Sequence, residues 1–282
     1  MRLFQAQQSA LANKLTYICA FYLFVFACRR MLQMVNGGEL FDRIYPCDSD
    51  GNLVRCGLAE ADAKFYCLVI ADVLRYIHEK HYVFRDLKPD NVLMNSNGYP
   101  VLIDFGFAKK VIDKTYTLCG TPAYISPEMV NAQGHSFGTD HWALGIMTHE
   151  MLLGESVFFI EGMDSVTLYN SIENDAFIRP KKCSKSACDF MESLLEKDPV
   201  RRLGSLKGGE EDVLSHPWFA GLDIELIREQ QVKAPWIPDI ADESDTHHFQ
   251  SWDDLPDKTL EEYPPLRSKD EEIFASFGAP IV

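Results

Sequence analysis

The sequence predicts an α+β fold in which helices dominate, and three observations lead there. Ala59–His78 carries apolar residues at helical spacing, and Thr139–Leu153 is strongly apolar around Trp142, Leu144, Ile146 and Met147. Between them lie the short apolar runs Tyr82–Phe84, Val92–Met94 and Val101–Ile103, the last two separated by Asn95-Ser96-Asn97-Gly98, whose Asn-Gly pair favours a tight hairpin turn. From Pro235 onward prolines and acidic residues replace periodicity, as in an extended tail lying on a surface. With 46% hydrophobic residues in 282, there is ample material for a buried core.

Taken in order, residues 1–30 form an N-terminal segment without a motif. Its apolar run Leu15–Cys28, between Lys14 and Arg29-Arg30, resembles a signal h-region or a short anchor. At 14 residues it is too short to span a bilayer, which takes about 20 helical residues. A buried strand or misplaced upstream sequence is the preferred reading. Met31–Val35 then reads as a short buried strand, and Asn36-Gly37-Gly38 as a hinge. A short helix over Glu39–Ile44 and a loop over Tyr45–Gly57 precede the helix of Ala59–His78, which lines up Phe65, Leu68, Val69, Val73, Tyr76 and Ile77. After the hairpin and Thr139–Leu153, helices are expected over Ser186–Leu195 and Glu210–Ser215. There is neither an internal repeat nor a coiled coil.

The net charge of −15 speaks against nucleic acid and favours basic peptides or cationic surfaces, with plain solvation as the alternative. The eight cysteines form no C-x-x-C pair and no metal-ligand spacing, so a reducing, cytoplasmic location without membrane association is expected.

The chemistry concentrates in Phe84-Arg85-Asp86-Leu87-Lys88-Pro89-Asp90-Asn91 and Asp104-Phe105-Gly106. A hydroxyl attacking a phosphoryl group needs a carboxylate to orient it and accept its proton, and Asp86 suits that role. Lys88, two residues on, would neutralise the transferred phosphate. Asn91 and Asp104 offer the oxygen ligands that hard Mg²⁺ prefers. Gly106 would permit a sharp turn that aims Asp104. Any one of these residues could be a loop capper; their order and separation together point to phosphoryl transfer.

These motifs resemble those of the eukaryotic Ser/Thr protein kinases, and within them the AGC group, from about Met31 to Phe277. Asp104–Lys109, Thr115–Tyr124, Ser126-Pro127-Glu128, Arg201–Gly209 and His216–Phe219 are most similar to the cyclic-nucleotide-dependent kinases, the cGMP-dependent branch slightly ahead of the cAMP-dependent one. The resemblance implies a protein kinase-like two-lobed fold: residues 31–219 as hinge and large lobe with the small lobe largely missing, and 220–282 as an AGC C-terminal tail. ATP and Mg²⁺ are the implied cofactors.

Roles follow by position. Asp86, Lys88, Asn91 and Asp104 would be catalytic, with Asn91 and Asp104 on the metal. Leu32 would be the gatekeeper, Gln33 and Val35 would hold adenine through their backbone, and Glu39, Lys88, Asn91 and Asp104 complete the nucleotide site. Glu39, Asp90 and Glu150 would receive arginines preceding the acceptor, since carboxylates pair bidentately with guanidinium; Thr121 would favour Ser/Thr over Tyr. Thr117 would be the activation-loop phosphosite, acted on by an upstream kinase and pairing with Arg85 and Lys109. Glu128 would pair with Arg202, and Asp140 would cap the catalytic loop. Phe249, Trp252 and Phe274-Ala275-Ser276-Phe277 match the tail's aromatic positions.

The chain departs from the family in lacking G-x-G-x-x-G and a V-A-I-K-like strand, with Lys14 the only lysine before the hinge. Phe84, Ala123 and Ser126 are minor departures. Two expectations therefore stand side by side: a fragment of an active kinase, or a weak or inactive kinase acting as a binding scaffold.

Overall fold

A computed structural model describes residues 34–48, 50 and 52–249 of the chain. Apart from Phe249, these fall within one unit that ends at His248. Its axis is helix α4, defined here with the other elements in chain order: α1 Leu40–Ile44, α2 Glu60–Glu79, β1 Tyr82–Val83, β2 Val92–Met94, β3 Pro100–Leu102, β4 Lys109–Lys110, α3 Pro127–Val130, α4 Gly138–Leu153, α5 Ser165–Asn174, α6 Lys185–Leu194, α7 Glu210–Leu214 and α8 Ile224–Arg228.

Helix α4 is buried on every face from Thr139 to Met151, because α2 and α6 pack along it. A helix buried on every side can sit only at the centre of such a bundle, and its polar residues Asp140 and His141 are hydrogen-bonded there. Trp142 is wholly buried and stacks on Phe158 at 5.7 Å; a fully buried side chain of this kind contributes about 2–3 kcal/mol. Gly154 ends the helix in a left-handed conformation (φ 68°), its N–H closing on the Glu150 carbonyl at 2.8 Å.

Strands β2 and β3 pair antiparallel, Val92 opposite Leu102 and Met94 opposite Pro100. The predicted turn closes them, with Gly98 at φ 80° and its N–H on the Asn95 carbonyl at 2.8 Å. A Cβ on Gly98 would stand 2.0 Å from the Trp236 carbonyl, so the chain after α8 lies directly on this turn. It continues to the hinge: Tyr99 donates to the Val232 carbonyl (2.6 Å), Arg43 stacks over Trp236 (4.4 Å), and Asn36 Nδ2 donates to the Asp242 carbonyl (3.1 Å). The second ribbon joins β1 to β4, Tyr82 opposite Lys110.

Several expectations are corrected. Met34 and Val35 form no strand, and Met34 is exposed; the rest of the predicted strand, Met31–Gln33, lies outside the described residues. Helices α3, α5 and α8 were not foreseen. In α5 only Leu168 and Ile172 are buried, one turn apart, too sparse for a periodic signal; its start is fixed by Asp164, which accepts from Val166 N and Thr167 N. The six described cysteines are unpaired. Among the described residues no helix is long and apolar enough to cross a membrane. The apolar run Leu15–Cys28 lies outside them.

Candidate active site

The loop from Phe84 to Asn91 is clamped from below by Asp140 at the start of α4. Its two carboxylate oxygens accept from the Phe84 and Arg85 amides, each at 2.8 Å. Arg85 is thereby held at φ 70°, a left-handed conformation that costs a non-glycine residue roughly 1–3 kcal/mol. Phe84 is fully buried and meets the Phe105 ring edge-on at 5.2 Å, joining the two motif segments through the core.

Asp86 is buried and fixed from two sides. Its Oδ1 accepts from Thr121 N (3.0 Å) and Thr121 Oγ1 (2.8 Å), and its Oδ2 accepts from Asn91 Nδ2 (2.9 Å). The loop carrying Thr121 can approach this closely because Gly120 (φ 96°) has no Cβ; one would stand 2.4 Å from the Arg85 carbonyl. Asn91 spends its amide N–H groups on Asp86, donating to the main-chain carbonyl at 2.8 Å as well. Among the described residues nothing donates to Asn91 Oδ1, which leaves it for a cation. Ile103 N donates to the Asn91 carbonyl at 2.9 Å, and so ties the residue before Asp104 to this loop.

Asp104 is exposed, with Oδ1 accepting from Gly106 N at 3.0 Å. The sharp conformation falls on Asp104 itself (φ 57°). Gly106 instead makes room: a Cβ there would stand 2.9 Å from Asp104 Oδ1. An amide oxygen on one side and a carboxylate on the other form a donor set suited to Mg²⁺. Lys88 is half-buried at the entry to the Pro89–Asn91 turn, and its charge reaches Glu39.

The carboxylates predicted for arginine recognition sense one another. Burial, then the charges of Asp42 and Asp90, push Glu39 above the usual carboxylate range, while Lys88 pulls it down. Burial pushes Glu150 up to about 7, and the Asp90 charge adds to the effect. Tyr124 donates its hydroxyl to Glu150. Glu39 begins α1, where its amide meets Asp42 Oδ2 at 3.4 Å. Tyr45 and Tyr124 escaped sequence reasoning because they join the acidic cluster only through the fold, whereas Asp42 lies three residues after Glu39 and was overlooked as its local partner.

Thr117 is exposed. Of the residues predicted to receive its phosphate, Lys109 donates to Thr115 Oγ1 (2.9 Å), and Arg85 Nε donates to the Phe107 carbonyl (2.8 Å) while its buried Nη1 has no partner among the described residues. Glu128 and Arg202 form a buried bidentate pair at 2.6 and 2.8 Å. Val35 and Phe249 are half-buried. Leu32, Gln33, Trp252 and Phe274–Phe277 lie outside the described residues.

A family model described as protein kinase domain matches residues 17–219. The mouse cAMP-dependent protein kinase catalytic subunit PRKX (Mus musculus) is 36% identical over 247 residues, covering 88% of this chain and 66% of its own. Its human counterpart (Homo sapiens) is 37% identical over the same length, covering 88% and 65%. The cAMP-dependent protein kinase catalytic subunit 2 of Drosophila melanogaster is 36% identical over 259 residues, covering 92% and 68%. The chain thus spans about two thirds of the length of these curated relatives.

Proposed function

Since the chain belongs to the protein kinase domain family, we propose that it transfers the γ-phosphoryl group of MgATP to serine or threonine in arginine-containing proteins. The observation that carries this reading is the seat of Asp86: one oxygen bonded to the Thr121 hydroxyl and amide, the other to Asn91. A carboxylate oriented by fixed donors, beside a threonine hydroxyl, is prepared to orient an incoming aliphatic hydroxyl and accept its proton. Asn91 Oδ1 and Asp104 would hold magnesium, which when bound neutralises charge developing on the phosphates. Lys88 supplies a further cation for the phosphoryl oxygens. Val35 and Gln33 would hold the adenine through their main chain.

Substrate choice in this reading rests on Glu39, Asp90 and Glu150, whose mutual repulsion a guanidinium relieves. A phosphate on Thr117, added by an upstream kinase, would find the unpartnered Arg85 Nη1 and the Lys109 ammonium. The placing in the AGC group beside cyclic-nucleotide-dependent kinases is part of the proposal: the relatives found carry cAMP-dependent names, and the cGMP-dependent likeness rests on motifs alone. The alternative to this reading is a noncatalytic binding scaffold.

A peptide panel tests substrate and reaction together. The purified chain should phosphorylate an arginine-rich serine peptide faster than its arginine-to-alanine counterpart, and should leave a tyrosine acceptor alone. Equal rates for both serine peptides would remove the arginine preference; stoichiometric peptide binding without phosphate transfer would favour the scaffold.

A further inference from the structure

Glu210, the first residue of α7, is remote in sequence from the catalytic loop, yet its carboxylate joins two buried imidazoles. Oε1 stands 2.7 Å from His78 Nδ1, and Oε2 stands 2.8 Å from His141 Nε2. The other nitrogen of His78, Nε2, stands 2.8 Å from Asp140 Oδ2, the oxygen that also accepts the Phe84 amide. With both carboxylates ionised, a ring that has a carboxylate oxygen at each nitrogen donates from both, and this geometry then suits His78 as an imidazolium. His141, Glu210 and His78 also have the donor types of a zinc centre. Their facing atoms, however, are at hydrogen-bond separations, whereas ligands around a tetrahedral zinc would stand about 3.3 Å apart.

We propose that Glu210 is a positioning residue for phosphoryl transfer: by keeping His78 doubly protonated it locks Asp140 against the Phe84 and Arg85 amides, and through them sets the seat of Asp86. The proposal rests on the reading of Asp86 as the proton acceptor. A neutral His78 would turn a bare nitrogen toward one of its two carboxylates, breaking that bond and leaving two buried acids facing a single donor. The left-handed Arg85 has no other support from α4 than the Asp140 clamp. The neighbours keep the ring in place. Phe137 covers it at 4.9 Å, and His141 meets it edge-on at 5.3 Å. His141 cannot swing aside either, since Gly204 passes so close that a Cβ there would stand 2.3 Å from its ring.

The electrostatics agree. Burial alone would lower the His78 pKa, but the hydrogen bonds and charges of Asp140 and Glu210 outweigh it and push it up to about 9. The bonds from His141 and His78 overcome burial at Glu210 and hold its carboxyl far below the usual range. Asp140, Glu210 and His141 are the titratable groups that face His78 from α4 and α7. With a raised histidine pKa, the clamp is fully present below the ordinary value near 6.5 and is lost as pH rises through about 9.

The test uses the full chain with ¹⁵N-labelled histidine and the variants Glu210→Gln and Glu210→Asp. Imidazole ¹⁵N shifts should show His78 protonated on both nitrogens at neutral pH in the parent, with its midpoint lowered by at least about one pH unit in Glu210→Gln and largely restored in Glu210→Asp. Turnover on an arginine-rich peptide should fall several-fold in Glu210→Gln above neutral pH, with peptide KM unchanged and kcat recovering on acidification. A neutral His78 in the parent, an unmoved midpoint in Glu210→Gln, or one equivalent of zinc in the purified protein would each overturn the proposal. The spectra need no activity, so their failure sinks this inference alone, whereas an inactive parent with the expected spectra sinks the kinase reading and with it the catalytic role of Glu210, leaving the His78 lock standing.

Discussion

Glu150 gives the candidate site its pH dependence. Burial and the Asp90 charge push its carboxyl up to about 7, so it is mostly neutral in mild acid and ionised in mild base. Only the ionised form pairs with guanidinium, so KM for an arginine-rich peptide should fall from pH 6 to pH 8, by about three- to tenfold, within the 1.4 kcal/mol that one pKa unit represents. Glu150→Gln should flatten this dependence. It should also raise Tm at pH 8, because a carboxyl with a raised native pKa costs stability increasingly as pH climbs from 4.5 through about 7. Asp104 is exposed, so Asp104→Ala should leave Tm nearly unchanged while turnover drops on the order of a hundredfold or more. The residues with rigid local spacing, Asp86, Lys88, Asn91 and Asp104, were legible in the sequence. Tyr124 and Glu210 were not, since each meets its partners across long sequence separations: Tyr124 and Glu150 lie 26 residues apart, and His78 and Glu210 lie 132 apart.

Between elements, Arg202 and Glu128 form a fully buried tie. Arg202 is wholly buried, and besides the carboxylate it donates to the carbonyls of Gly138 (2.8 Å) and Glu196 (3.0 Å). Arg202→Ala would strand a buried glutamate and should cost about 3–5 kcal/mol in urea unfolding. The double variant Arg202→Met with Glu128→Leu should lose much less, because no uncompensated charge remains. At the β2–β3 turn, Gly98→Ala combines a left-handed backbone with a collision against the Trp236 carbonyl, and should destabilise by about 1–3 kcal/mol. The long helices α2 and α4 and the hairpin could be read from periodicity and turn chemistry to within a residue or two. Helices α5 and α8 could not, since their few buried residues carry no period; their caps, Asp164 and Asp223, were the available signal.

Across the whole molecule, the charge of −15 and the acids beside Asp86 act in the same direction, and under the proposed function they would draw cationic peptides toward the site. Raising salt from about 0.05 to about 0.5 M should therefore raise KM for an arginine-rich peptide several-fold, as screening shortens the reach of these charges. The helical core, the hairpin carrying Asn91 and Asp104, and the segment after α8 that returns to the hinge make one continuous support for Asp86. That support is what the family membership predicts and what the proposed activity requires. The most direct measurement is transfer of labelled phosphate from MgATP to an arginine-rich serine peptide by the purified chain, beside Asp86→Asn and Asp104→Ala. Turnover in the parent that both substitutions abolish with the fold intact is the expected result; no turnover in the parent, or a rate indifferent to Asp104, would contradict phosphoryl transfer at this site.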